Sequence, residues 1–187
     1  MRMKRAVAYN REPNRIRHDN SFHDDSLLKA APMIDPTDRS PIPKMPFWIG
    51  AGGVVPFVVL SGAVWAAPEA YTAALLFWLS AYAAVVASFL GAVHWGAALL
   101  HPSMSDPDRA LFMTWSVVPA ITGWVAQLMP IKTGLLMLIA IYVIQFAADR
   151  QLSSRFHLPD WYLRLRGSLT PVAVLCLALA LIHLARH

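Results

Sequence analysis

Five long apolar segments dominate this 187-residue chain, running at about 47–67, 70–100, 110–129, 133–148 and 168–185. A helix needs about 20 apolar residues to cross some 30 Å of hydrocarbon, and about 17–25 is the usual range. Four of the segments meet that length within a residue or two at each end. The second exceeds it, which predicts a tilted helix or one that continues beyond the bilayer as an amphipathic turn. Helices buried in a soluble bundle are shorter and keep a charged face, and none of these segments has one. With 57% hydrophobic and 14% charged residues, the expected fold is all-α, a polytopic bundle of five transmembrane helices.

Charge sets the expected orientation. With the N-terminus cytoplasmic, nine basic residues of the tail, Arg109, Arg150, Arg155, Arg164 and Arg166 all fall inside, which leaves Lys132 and Arg186 outside. Counting only basic residues near the membrane keeps Lys29, Arg39 and Lys44 from the tail, and the inward excess survives. The C-terminus is then outside. The same topology accounts for the formal charge of +5, so nucleic acid is not an expected partner. The bilayer is, with anionic lipids and a larger membrane complex as candidates.

Residues 1–46 read as a polar, disordered cytoplasmic tail with nine basic and six acidic side chains. Its acids, including Glu12, Asp19, Asp24 and Asp25, do not fit a transit peptide, and the first apolar run starts too late for a signal peptide. Tyr9, Phe22, Leu27 and Leu28 offer a short docking motif, against the plainer reading of a solvated tail. The turns at 66–69 and 130–132 are short, and 101–108 carries turn formers and a helix-capping Asp. Short links make consecutive helices antiparallel neighbours. Asp149 to Gly167 reads as a longer loop at the membrane interface, mixing Phe156, Trp161 and Tyr162 with arginines.

Packing candidates come from small residues. Gly52, Gly53 and Pro56 in the first span suit a kinked helix set close to a neighbour, with a broken helix lining a site as the alternative. Ala84, Ser88, Ala92 and Gly96 recur every four positions in the second span and predict a packing groove, placing that helix at the centre. Cys176, the single cysteine, is expected to be a buried packing thiol.

Ionisable groups inside a membrane are costly and usually face protein or water. His94 lies within the second span, and Asp149 and Arg150 close the fourth. Threading puts His94, Asp149, Arg150, Trp161, Tyr162, Arg164 and Arg166 in one leaflet or its headgroup layer, where they form a candidate polar site. His94 suits a structural hydrogen bond, a ligand contact or, less readily, redox work. His183, the other histidine within a span, sits near the opposite end, which argues against bis-histidine haem. No metal, cofactor or catalytic constellation is expected.

Pro56-Phe57, Gly91-Ala92-Val93-His94-Trp95-Gly96, Ala148-Asp149-Arg150, the run from Leu158 to Arg166 and Leu169-Thr170 together resemble the transmembrane protein 69 family, also classed as domain of unknown function 3429. The resemblance covers about 46–186 and leaves the tail outside. It implies a small polytopic protein of bacterial inner membranes, with eukaryotic relatives in the mitochondrial inner membrane. It carries over no activity, substrate or catalytic residue. The residues then favour a non-enzymatic accessory or assembly protein that meets membrane complexes or lipids. A small proton-coupled transporter using His94 and Asp149 is the alternative, followed by a quinone- or haem-associated redox protein.

Overall fold

The computed structural model describes residues 42–156 and 159–186, so the predicted tail lies outside the described residues except at its last few positions. Five helices follow one another: α1 (Lys44–Ala66), α2 (Glu69–Leu100), α3 (Asp106–Leu128), α4 (Ile131–Phe156) and α5 (Asp160–Arg186). Each contains a stretch long and apolar enough to cross a membrane.

Where α4 and α5 end departs from the sequence reading. The segment expected to be an interfacial loop is almost entirely helical, because α4 runs on past Asp149 to Phe156 and α5 begins at Asp160. Trp161 to Arg166 are therefore the opening turns of α5. Hydropathy stopped at Asp149 and restarted after Arg166 because each is expensive alone in an apolar environment. In the fold each neutralises the other, so neither has to mark a helix end. α3 likewise starts four residues earlier than predicted, and its N-cap is Ser105 instead of an aspartate. The Ser105 hydroxyl accepts from the Asp108 backbone N–H at 3.3 Å and donates to the Asp108 carboxylate at 2.6 Å.

α2 is the central helix, in contact with all four others, and its interface with α3 is the most extensive. The predicted small-residue row does not stay on that buried face. Ala84 is buried, but Ala92 is exposed, and a Cβ at Gly96 would meet nothing within 4 Å. The reason is geometric. At 3.6 residues per turn a step of four overshoots a full turn by about 40°, so the row walks about 120° around the helix by Gly96. Steps alternating three and four stay in place, and Ser80, Ala84, Ala87, Gly91, His94 and Ala98 form the seam that is buried. Ser88 returns its hydroxyl to the Ala84 carbonyl at 3.0 Å.

Tight approach occurs at other glycines than those predicted. A Cβ on Gly91 would collide with the Ser116 carbonyl of α3, one on Gly123 would lie 3.2 Å from Ala84, and one on Gly134 would strike the Ala126 carbonyl. Gly52 and Gly53 have open space at their Cβ positions. Gly53 contributes through its backbone: α1 is continuous through Pro56, and the Gly53 carbonyl accepts the Tyr82 hydroxyl of α2 at 2.8 Å. Tyr82 and Tyr142 each set an edge against Phe57, and the buried Tyr142 hydroxyl donates to the Ala83 carbonyl at 3.0 Å. Cys176 is buried and free, and its carbonyl accepts from Ser61 at 3.0 Å.

Trp48 and Trp65, both exposed on α1, stand about 25 Å apart along the axis at ~1.5 Å per residue. That spacing suits two aromatic belts bordering a hydrocarbon layer.

Candidate functional site

The seam between α4 and α5 explains how charge comes to be buried here. Leu138, Tyr142, Gln145 and Asp149 on α4, and Leu177, Ala173, Thr170 and Arg166 on α5, are all buried. Both sets are spaced four, three and four residues apart. In the antiparallel register fixed by the Arg166–Asp149 contact, Leu177 falls opposite Leu138, Ala173 opposite Tyr142 and Thr170 opposite Gln145. One half of the seam is thus apolar. The other half, toward residues 101–105, is polar.

At that polar end Arg166 Nε donates to Asp149 Oδ2 at 2.8 Å. The second carboxylate oxygen, Oδ1, stands 3.2 Å from His94 Nε2 on α2, within ion-pair reach but off the line a full hydrogen bond needs. Gln145, one turn before Asp149, places its amide nitrogen 3.2 Å from His94 Nδ1 and 3.4 Å from Asp149 Oδ1. An imidazole with its proton on Nε2, the edge that faces Asp149, accepts that amide at Nδ1, whereas one with its proton on Nδ1 turns a donor toward the helix backbone. The Leu90 and Gly91 carbonyls also approach the ring, and Phe112 of α3 covers it at 5.7 Å between centroids. Three helices are tied together by side chains of which His94, Asp149 and Arg166 are only 1%, 0% and 5% exposed.

Among the predicted site residues, His94, Asp149 and Arg166 come together, and the Tyr162 hydroxyl approaches both Asp149 and Arg166. Trp161 packs edge-on to Tyr162 at 6.3 Å and is half-buried. Arg150 and Arg164 do not join the cluster. Both are exposed, and the Arg150 guanidinium lies 6.0 Å from the Phe146 ring. Their positions follow from helical period: Arg150 is about 100° around α4 from Asp149. His183 sits against Trp65 at the opposite end of the bundle, at 5.2 Å between rings.

Sequence reasoning missed Gln145, Thr170 and Arg109. Gln145 had a readable signal, since it precedes Asp149 by four residues and so shares its face. Arg109 was counted only as a topology marker. Its guanidinium instead reaches back to the Ala98 carbonyl in the last turn of α2, the carbonyl of the C-cap His101 and that of Met104 in the turn beyond, which places a charged donor at the C-terminus of α2. Phe112, Ala98 and Met104 form a small apolar cluster alongside. Arg109→Ala should cost about 1–2 kcal/mol through loss of charged hydrogen bonds at a helix C-terminus. Hydrogen exchange across residues 97–104 should accelerate while the centre of α2 stays protected, and uniform protection in the variant would contradict this capping role.

Chemically, the cluster offers a carboxylate held between a guanidinium and an imidazole in an apolar shell. His94 and Asp149 supply two metal-ligating side chains, and among the described residues no group of three or more His, Cys, Asp or Glu could share an ion.

The family model described as "Protein of unknown function (DUF3429)" matches residues 42–182. Transmembrane protein 69 of Xenopus tropicalis is 30% identical over 176 residues, which cover 94% of this chain and 67% of that protein. Transmembrane protein 69 of Mus musculus is 28% identical over 163 residues, covering 84% and 66%. The chain spans about two thirds of the length of these relatives. No solved structure matches. Since the matched region runs through all five helices and includes every residue of the buried network, the chain belongs to the DUF3429 family of membrane proteins, whose relatives include transmembrane protein 69.

Proposed function

We propose that this protein is a non-enzymatic accessory or assembly factor that works through lateral contacts with a larger membrane complex or with specific lipids. The observation that carries this reading is how polarity is distributed. His94, Asp149 and Arg166 are turned inward onto one another, whereas Trp48, Trp78, Phe89, Trp124 and Leu100 are exposed on the outer faces. A protein arranged this way presents apolar helix surface and keeps its charged residues for internal order. Purification in mild detergent followed by native mass spectrometry should recover the protein with a second membrane protein or tightly held lipid. Recovery as a bare single chain would count decisively against the reading.

The proposed setting is the bacterial cytoplasmic membrane, or the mitochondrial inner membrane for a eukaryotic chain, with the end carrying residues 101–105 facing the cytoplasm or matrix. The excess of basic residues at that end supports it. A C-terminal fusion to a reporter active only outside the cytoplasm should then be active; an expressed but silent fusion would overturn the orientation.

One observation favours a second reading, proton-coupled transport: the buried His94 Nε2 lies 3.2 Å from Asp149 Oδ1, a pairing able to hold and release a proton. On this reading His94→Ala abolishes gradient-driven uptake in vesicles while the bundle still folds.

A further inference from the structure

We infer that the polar half of the α4–α5 seam is a hydration site: a short file of water enters past Tyr162 from the end carrying residues 101–105 and reaches Thr170 and Gln145. The His94–Asp149 pair thereby gains contact with solvent on one side of the membrane only.

Four buried polar atoms along this seam make no hydrogen bond of full geometry within the protein: Arg166 Nη2, Thr170 Oγ1, Gln145 Oε1 and the Tyr162 hydroxyl, the last of which lies near Asp149 and Arg166. Their carriers are not scattered. Tyr162, Arg166 and Thr170 follow one another at four-residue steps on α5, and Gln145 falls opposite Thr170 in the register set by Arg166 and Asp149. Arg166, Thr170 and Gln145 are each more than nine-tenths buried. Pro171, inside α5 and next to Thr170, has no N–H to give, so the Gly167 carbonyl four residues back also lacks its usual helical donor. Donors and acceptors in such a setting are satisfied by something.

The chemistry of the occupant follows from what the seam already contains. Arg166 and Asp149 neutralise each other, so an ion of either sign would bring uncompensated charge into an apolar shell. The occupant is therefore uncharged. It must accept from Arg166 Nη2 and donate to Gln145 Oε1, and it must be small enough to lie between two helices in direct contact. Water meets all three conditions, since buried waters typically make two to four hydrogen bonds to such groups.

Entry is from one end. Tyr162 and Trp161 are half-buried at the first turn of α5, at the bundle end nearest the polar half of the seam. Passage in the other direction meets Tyr142, whose hydroxyl is already bonded to Ala83, and then Leu79, Leu138 and Leu177, all 0% exposed. The water file is thus a blind inlet. It does not depend on whether the protein moves a solute, because a seam that transports nothing would still be hydrated.

The test is water-edited solid-state NMR on the full chain in phosphatidylcholine–phosphatidylglycerol bilayers. Side-chain signals of Gln145, Thr170 and Arg166 should receive magnetisation from water as quickly as exposed Ser103 does, while Leu138 and Leu177 on the same seam lag far behind. Thr170→Val, close to the native side chain in shape, should remove the fast transfer at Gln145 and leave Ser103 unchanged. Transfer at Gln145 and Arg166 no faster than at Leu138 would overturn the inference. So would transfer arising from lipid protons, which would make the occupant a lipid group.

Discussion

Asp149→Ala should destabilise the bundle by about 3–5 kcal/mol, the range expected when one member of a buried ion pair is removed and the other stays behind. The guanidinium of Arg166 would remain 5% exposed with neither countercharge nor water shell. Gln145 would lose one contact of its amide, and His94 the carboxylate 3.2 Å from its Nε2. Against a typical stability of about 5–15 kcal/mol such a loss is a large fraction, so the variant should accumulate poorly or should unfold at much lower denaturant. The informative companion is Asp149→Leu with Arg166→Met. Removing both charges and filling the volume with apolar side chains is often neutral or stabilising, so the double variant should recover to within about 1 kcal/mol of the parent in reversible detergent unfolding. A double variant as unstable as Asp149→Ala would show that the pair does more than cancel its own desolvation. The same protein separates the two functional readings. An accessory factor that needs only its shape keeps partner association once stability returns, whereas a proton-coupled carrier stays inactive however well it folds.

Helix number and order were legible in the sequence because both follow from local quantities, the length of an apolar run and the turn residues between runs. The helix ends around Asp149 and Arg166 were not, because hydropathy treats each residue alone. Asp149 looks like a boundary until Arg166, seventeen positions on, supplies its countercharge. The candidate cluster was partly visible for the same reason it was partly wrong: depth in the membrane groups residues by level and says nothing of azimuth. Arg150 shares the level of Asp149 and lies on another face. The three-four spacing of Leu138, Tyr142, Gln145 and Asp149 carried the azimuth and would have drawn Gln145 into the site. Arg109 could not have been assigned to the end of α2 from spacing alone, because its partners are backbone carbonyls across a turn.

Glycine substitutions give the sharpest test of how α2 and α3 meet. A Cβ at Gly91 would overlap the Ser116 carbonyl and lie 3.2–3.3 Å from the Pro119 ring. Neither obstacle is the free end of a flexible side chain, so the helices must separate or slide. Overpacking of this kind typically costs about 1–3 kcal/mol, and Gly91→Val, which adds branched bulk at the same point, should sit at or above the top of that range. Because His94 is less than one turn along the same face, the displacement should also loosen its contacts with Gln145 and Asp149. Gly52→Ala is the matched control. A Cβ there meets nothing within 4 Å, and replacing Gly by Ala inside a helix gains up to about 1 kcal/mol of intrinsic propensity. Opposite signs are therefore expected from two glycines in apolar helices of one bundle: a lower unfolding midpoint for Gly91→Val, and an unchanged or higher one for Gly52→Ala. Equal destabilisation at both sites would mean that Gly52 is covered by a second surface, as a docked partner helix would cover it. A neutral Gly91→Val would mean that α2 and α3 do not approach closely at Ser116, and the seam that positions His94 would need to be redrawn.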